Sequence, residues 1–290
     1  MFANDFAYYR ASSLSDAHRL LAEHRGAKLL AGGHSLVPLL KLRLAAPPAV
    51  VDIRTVQELR GISPSPQGVL RIGALTTHAE LASSSAVKHA CPALAEAASM
   101  VGDAQVRNWG TIGGNVAHAD PASDLPTVLT AAGATFVISG SGGTRTVSAH
   151  DFFVGLMTTA LGDTDILTAV ELPSRVEGQG TAYVKMGHPA SRYAVIGVAA
   201  FLTVRNGTCS SARVAVGGLV PRATRAAGVE AALAGQSLTE QSIGAAADRL
   251  AADLGSDVLG DLYASADYRR AVAPVHAARA LTLAAERARA

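Results

Sequence analysis

Two short apolar steps that each end on a glycine pair constrain this chain more than any other feature. The first runs through Ala27-Lys-Leu-Leu-Ala31 into Gly32-Gly33-His34-Ser35, and the second is Gly110-Thr-Ile-Gly-Gly-Asn115. A strand that stops on two glycines is open to two readings, a tight turn or a cradle of backbone N–H groups for phosphate. The second pair favours the cradle. Without a Cβ, successive N–H groups can point into one concavity, and two such nests from distant parts of a chain could hold one diphosphate. Ser35 and Thr111 would add hydroxyl donors without adding charge. Neither loop has the G-x-G-x-x-G spacing of a dinucleotide fold or the G-K-[ST] ending of a P-loop. A third cluster, Gly140-Ser-Gly-Gly-Thr144, lies between two strand patterns and reads as a hairpin turn.

Around these loops the pattern alternates between strand and helix. Ser13 caps a helix over 17–24; strands follow at 28–31 and 50–53, with a helix-like stretch at 38–44 between them. Further strands are expected at 69–72, 135–139 and 166–172, with helices starting at Thr76-Thr77-His78 and Cys91-Pro92. The polar segment 174–180 is the clearest linker. Beyond it lie strands at 182–186, 194–204 and 209–216, then Ala-rich helices at 223–234, 240–254 and from 268 to the end. The expected layout is a first subdomain over 1–55, a second over 56–176 and a C-terminal α+β domain over 177–290, in line with 290 residues.

Composition excludes several functions. A formal net charge of +2 is too small for a nucleic-acid partner. No apolar run has membrane-spanning length and no secretory signal opens the chain, so a cytoplasmic protein without a transmembrane segment is expected. Cys91 and Cys209 are too few to hold an iron–sulfur cluster and read as reduced thiols. No His or Cys stands at zinc-ligand spacing from His34. His118, Asp120 and Asp124 resemble a hydrolytic set only loosely, since no nucleophile sits in a strained elbow.

The stretches AGGHSLVPLLKLRL and QVRNWGTIGGNVAHADPASDLP, with HPASRYAVIGVAA and GGLVPRATRAAGVEAAL, resemble the FAD-binding medium subunit of the molybdenum hydroxylases. The likeness is to the carbon monoxide dehydrogenase type within the xanthine dehydrogenase family, and it spans essentially the whole chain. It implies an α+β chain with a vanillyl-alcohol-oxidase (PCMH)-type FAD-binding domain of two α/β subdomains. A C-terminal domain of antiparallel sheet plus helices would follow. Where the xanthine dehydrogenase branch carries a threonine–glutamate pair, this chain has His34-Ser35. It also lacks the cysteines of the four-iron insertion of the hydroxybenzoyl-CoA reductase branch.

The resemblance implies that Ala31, Gly32, Gly33, His34 and Ser35 hold the FAD pyrophosphate together with Thr111, Ile112, Gly113, Gly114 and Asn115, and that Leu30 and Leu36 beside them also bind the cofactor. It further implies that Asp124 accepts hydroxyls of the cofactor and that Leu167 makes a backbone contact to the flavin. Lys185 would lie beside the pyrimidine edge, and Tyr193 over one face of the ring. Asp120 is expected to be a turn former. No catalytic side chain or metal ligand is expected on this chain. A large subunit would carry the molybdenum cofactor and a small one two 2Fe–2S clusters, in a dimer of heterotrimers. This chain would pass electrons through FAD to a quinone, NAD or oxygen. The alternative is a stand-alone FAD-dependent oxidoreductase of the same fold, for which Tyr193 and Lys185 are the one visible acid–base pair.

Overall fold

Hydroxyl and carboxylate caps start many of the helices. In the computed structural model, which describes residues 2–65 and 67–289, Ser13 Oγ accepts from Asp16 N at 3.1 Å and opens α1 (Leu14–Glu23). The helix buries Ala17, Leu20 and Leu21 against a parallel three-stranded sheet. That sheet has the order β1-β3-β2, with β1 at Ala7–Arg10, β2 at Lys28–Leu30 and β3 at Ala49–Asp52. The short helix α2 (Leu36–Lys41) leaves the end of β2. β1 is a mostly exposed edge strand with no apolar alternation, and so leaves no strand pattern in the sequence.

A five-stranded antiparallel sheet follows, in the order β4-β5-β10-β6-β7. β4 (Ile62–Pro64) and β5 (Leu70–Gly73) come first. Six helices then intervene: α3 (His78–Ser83), α4 (Ser85–Ala90), α5 (Pro92–Met100), α6 (Ala104–Trp109), α7 (Ile112–His118) and α8 (Asp124–Ala132). β6 (Thr135–Gly140) and β7 (Gly143–Ser148) form the expected hairpin. After α9 (Ala149–Phe152), β8 (Phe153–Gly155) and β9 (Thr158–Thr159), the central strand β10 (Ile166–Leu172) closes the sheet.

The third sheet is antiparallel, β11-β12-β13-β14, with β11 at Gln179–Gly187, β12 at Ala194–Arg205, β13 at Thr208–Gly217 and β14 at Thr224–Arg225. Helices α10 (Ala227–Leu233), α11 (Glu240–Ala247), α12 (Leu250–Asp253) and α13 (Ala266–Arg289) join a core with β12 and β13 through Val198, Leu202, Val214, Val229, Ile243 and Leu281. The helix expected from 223 therefore begins only at 227, because Thr224 and Arg225 pair with β13. Helix α8 joins the C-terminal sheet to the rest. All nine of its residues are buried, and it packs on both β12 and β13. A mostly apolar helix of this kind is stable only when covered on every side, and its one carboxylate, Asp124, is carried into that interior.

Candidate functional site

The two glycine loops face one cleft of about 620 Å³, which Asp124, Leu167 and Tyr193 also line. The loops touch each other. A Cβ at Gly32 would overlap the carbonyl oxygen of Trp109 and stand 2.8 Å from Gly110 Cα. A Cβ at Gly113 would stand 2.5 Å from Ala74 Cβ and 2.9 Å from its Cα. Both glycines thus permit one backbone segment to approach another.

The two loops are not equivalent. Among the described residues, no acceptor meets the backbone N–H of Gly32, Gly33, His34, Ser35 or Leu36. The chain turns there at Gly33, with φ +78°. Ser35 precedes α2 with its hydroxyl free of any capping bond. The second loop spends its donors internally. Ile112 N–H donates to Thr76 O at 2.9 Å, Gly113 N–H to Ala74 O at 2.8 Å and Gly114 N–H to Thr111 Oγ1 at 3.1 Å. Thr111 is the N-cap of α7, a helix absent from the sequence reading. That loop lines the wall of the cleft with these three donors already paired within the protein.

Asp124 lies at the first turn of α8 with both oxygens engaged. Tyr183 Oη donates to Oδ1 at 2.6 Å and Lys185 Nζ to Oδ2 at 2.9 Å. Burial pushes the Asp124 carboxyl above its ordinary range, while the Lys185 charge and the Tyr183 hydroxyl pull against it. Burial, with Asp124 beside it, holds the Tyr183 phenol well above its ordinary value. Lys185 does not line the cleft. Its ammonium, paired with Asp124, also donates to Met100 O at 3.0 Å and Arg192 O at 2.9 Å. The bond to Arg192 O fixes the turn that presents Tyr193, whose ring is 43% exposed. Leu30 and Ile112 also lie off the cleft, and Ile112 is fully buried. Asp120 is the expected turn former: its Oδ1 accepts from Ala122 N at 2.9 Å.

Three lining groups escape sequence reasoning. His78 opens α3 beneath the loops, Ser123 Oγ bonds Asn115 Nδ2 at 3.1 Å, and Asp165 accepts from Arg145 at 2.7 Å and Gly162 N at 2.8 Å. None stands in a recognisable motif. Two buried atoms in this wall, His78 Nδ1 and Asn115 Oδ1, have no protein partner.

Residues 4–175 match the family described as the FAD binding domain in molybdopterin dehydrogenase. The chain belongs to that family. Residues 181–284 of this FAD-binding subunit match the CO dehydrogenase flavoprotein C-terminal domain. It is 40% identical over 280 residues to the carbon monoxide dehydrogenase medium chain of Hydrogenophaga pseudoflava, covering 96% of each chain. It is 38% identical over 269 residues to the glyceraldehyde dehydrogenase medium chain of Sulfolobus acidocaldarius, covering 93% of this chain and 92% of that one. The solved carbon monoxide dehydrogenase from Hydrogenophaga pseudoflava superposes with a TM-score of 0.95, covering 99% of both chains at 40% identity. These matches place the chain among medium, FAD-binding oxidoreductase subunits of the carbon monoxide and xanthine dehydrogenase family. The residues fit the cofactor: a run of N–H groups without protein acceptors suits a diphosphate, and the same wall holds two buried polar atoms that no protein group pairs. Among the described residues no helix is long and apolar enough to cross a membrane.

Proposed function

We propose that this chain is the electron-transfer subunit of a cytoplasmic molybdenum hydroxylase complex. It takes electrons from 2Fe–2S clusters of a small partner subunit and passes them through FAD to an external acceptor. A large partner subunit carries the molybdenum cofactor and oxidises the substrate, and the assembly is a dimer of heterotrimers. The observation that carries this reading is the free N–H run from Gly32 to Leu36, facing the same cleft as Asp124 and Tyr193. Bound FAD supplies the exchange between one-electron and two-electron carriers.

The residues divide the work of holding it. The first loop meets the diphosphate with neutral N–H dipoles and the Ser35 hydroxyl, while Asp124 accepts hydroxyls of the cofactor chain. Leu167 contributes backbone at the flavin end, and the Tyr193 ring covers one face. Lys185 acts one step removed, by keeping Asp124 charged and aimed. Cys91 and Cys209 are both buried and cannot ligate clusters, so the iron–sulfur centres belong to another chain. The relatives' names run from a gas to an aldehyde at nearly equal identity. The substrate is accordingly a property of the molybdenum subunit.

Purification of the chain alone tests the proposal. It should retain flavin absorbance yet leave that absorbance unbleached by carbon monoxide, aldehydes or purines. Bleaching should appear on adding the molybdenum and iron–sulfur subunits with their own substrate. Substrate-dependent bleaching of the isolated chain would favour a stand-alone FAD oxidoreductase.

A further inference from the structure

His78 is a buried ionisable side chain at the seam between the two loops. Its backbone N–H donates to Gly110 O at 3.0 Å. Its ring edge packs on Gly110 so tightly that a Cβ there would stand 2.8 Å from both Cδ2 and Nε2. Gly110 in turn abuts Gly32 of the first loop. The ring lines the cleft, is 3% exposed and leaves Nδ1 without a partner. A buried nitrogen of this kind destabilises a fold unless another state satisfies it.

The charges around the ring do not supply that partner. On its own helix Glu80 is held in a capping box with Thr77. On α6, Asp103 caps Val106 N and Arg107 turns to the carbonyls of Val101 and Gly102. On α5, Glu96 pairs with Arg287, and Lys88 and His89 of α4 are exposed. Of these neighbours only His34, from the first loop, bears on the charge of the ring, and it opposes protonation.

We propose that His78 is a third anchor of the cofactor, an imidazole that is neutral in the free chain and takes up a proton when the diphosphate settles on the first loop, tying the two loops together. The proposal rests on the reading of the cleft as the FAD site. Burial, aided by His34, holds the free imidazole down at about 4, so it carries no charge near neutral pH. A diphosphate on the N–H groups of residues 32–36 brings negative charge to the seam, which favours the charged form of a ring that is itself buried. The proton comes from solvent, and no bond to the cofactor forms or breaks.

The test titrates the full chain with FAD at pH 6, by calorimetry in two buffers of different ionisation enthalpy. Uptake approaching one proton per FAD is expected, and it should be lost in His78→Gln. FAD affinity should rise as pH falls from 8 toward 5.5, by no more than tenfold per pH unit. In the unmodified chain, NMR of the imidazole carbons should move His78 from the neutral to the charged position when FAD is added, which keeps the test independent of how His78→Gln folds. FAD binding with no proton uptake, or with His78 still neutral, would overturn this proposal and leave the cofactor reading intact. Failure of FAD to bind at any pH would overturn both.

Discussion

Lys185 Nζ lies 2.9 Å from Asp124 Oδ2, with both side chains nearly inaccessible, at 6% and 5% exposed. The pair crosses from the first turn of α8, in the FAD-binding half, to β11 of the C-terminal sheet. It couples the aim of a cleft carboxylate to the packing of two parts of the chain. The lysine is a tie between elements.

Removing one partner of this pair should cost more than removing both. Lys185→Met strands a buried carboxylate, and a loss of about 3–5 kcal/mol in unfolding free energy is expected. Asp124→Asn combined with Lys185→Met leaves no unpaired charge, so its loss should fall short of the sum of the single losses. Urea unfolding of the three variants measures this. Additive losses would mean that the two groups do not interact.

The two loop hydroxyls should separate by readout. Ser35 caps nothing, so Ser35→Ala should leave the melting temperature unchanged and weaken FAD by about 1.5–3 kcal/mol, one hydrogen bond to a charged group. Thr111 Oγ1 accepts from Gly114 N and caps α7, so Thr111→Val should lower stability by about 1 kcal/mol even without flavin. Flavin fluorescence titration and thermal unfolding of the FAD-free variants test the pair. A drop in melting temperature for Ser35→Ala would place its hydroxyl in the fold.

Why the sequence reveals one loop better than the other follows from what each glycine meets. The first pair is legible because a strand end, a positive φ and free N–H groups coincide within a few residues. How the second loop pairs its donors is not legible, because the acceptors Ala74 and Thr76 are far away in sequence and nothing local announces them. The three sheets are foreshadowed by continuous apolar runs such as Ile166–Leu172 and Ala194–Arg205, buried along most of their length. Exposed edge strands such as β1 carry no such run. His78 is invisible for a third reason: its role depends on Gly110 and His34 converging on it, a tertiary fact.

Glycine substitutions should follow backbone contact and not membership of a motif. Gly32→Ala drives a methyl into the Trp109 carbonyl, and Gly113→Ala drives one into Ala74. Both should destabilise the FAD-free chain by at least the 1–3 kcal/mol typical of overpacking. At Gly114 the nearest atoms are Thr111 Oγ1 at 2.9 Å and Ala31 Cβ at 3.7 Å, a side chain that can yield. Gly114→Ala should therefore be the mildest of the three. Thermal unfolding without flavin ranks them, and equal losses would refute the contact argument.

Acid should unfold the FAD-free chain through two separable windows. Asp52 is 1% exposed at the end of β3. Burial alone would raise its carboxyl, but hydrogen bonds from Arg54 (Nη2 at 2.7 Å, backbone N at 2.9 Å) and Tyr8 (2.5 Å) bring it down to about 2. A carboxyl held below its unfolded value stabilises the fold above that value and loses the contribution as pH falls, between about 4 and about 2. His78 is likewise depressed, from 6.5 to about 4, so the unfolded chain takes up a proton there before the folded one does. Its contribution is complete above about 6.5 and is lost as pH falls toward about 4. They amount to on the order of 2 kcal/mol for Asp52 and about 3 kcal/mol for His78. In urea midpoints measured from pH 8 to pH 2, His78→Gln should flatten the upper slope and leave the lower one, and Asp52→Asn should do the reverse. Saturating FAD should erase or invert the upper slope alone, because a charged His78 in the loaded chain binds the proton that the free chain refuses. An upper slope that persists unchanged with FAD bound would separate His78 from the diphosphate.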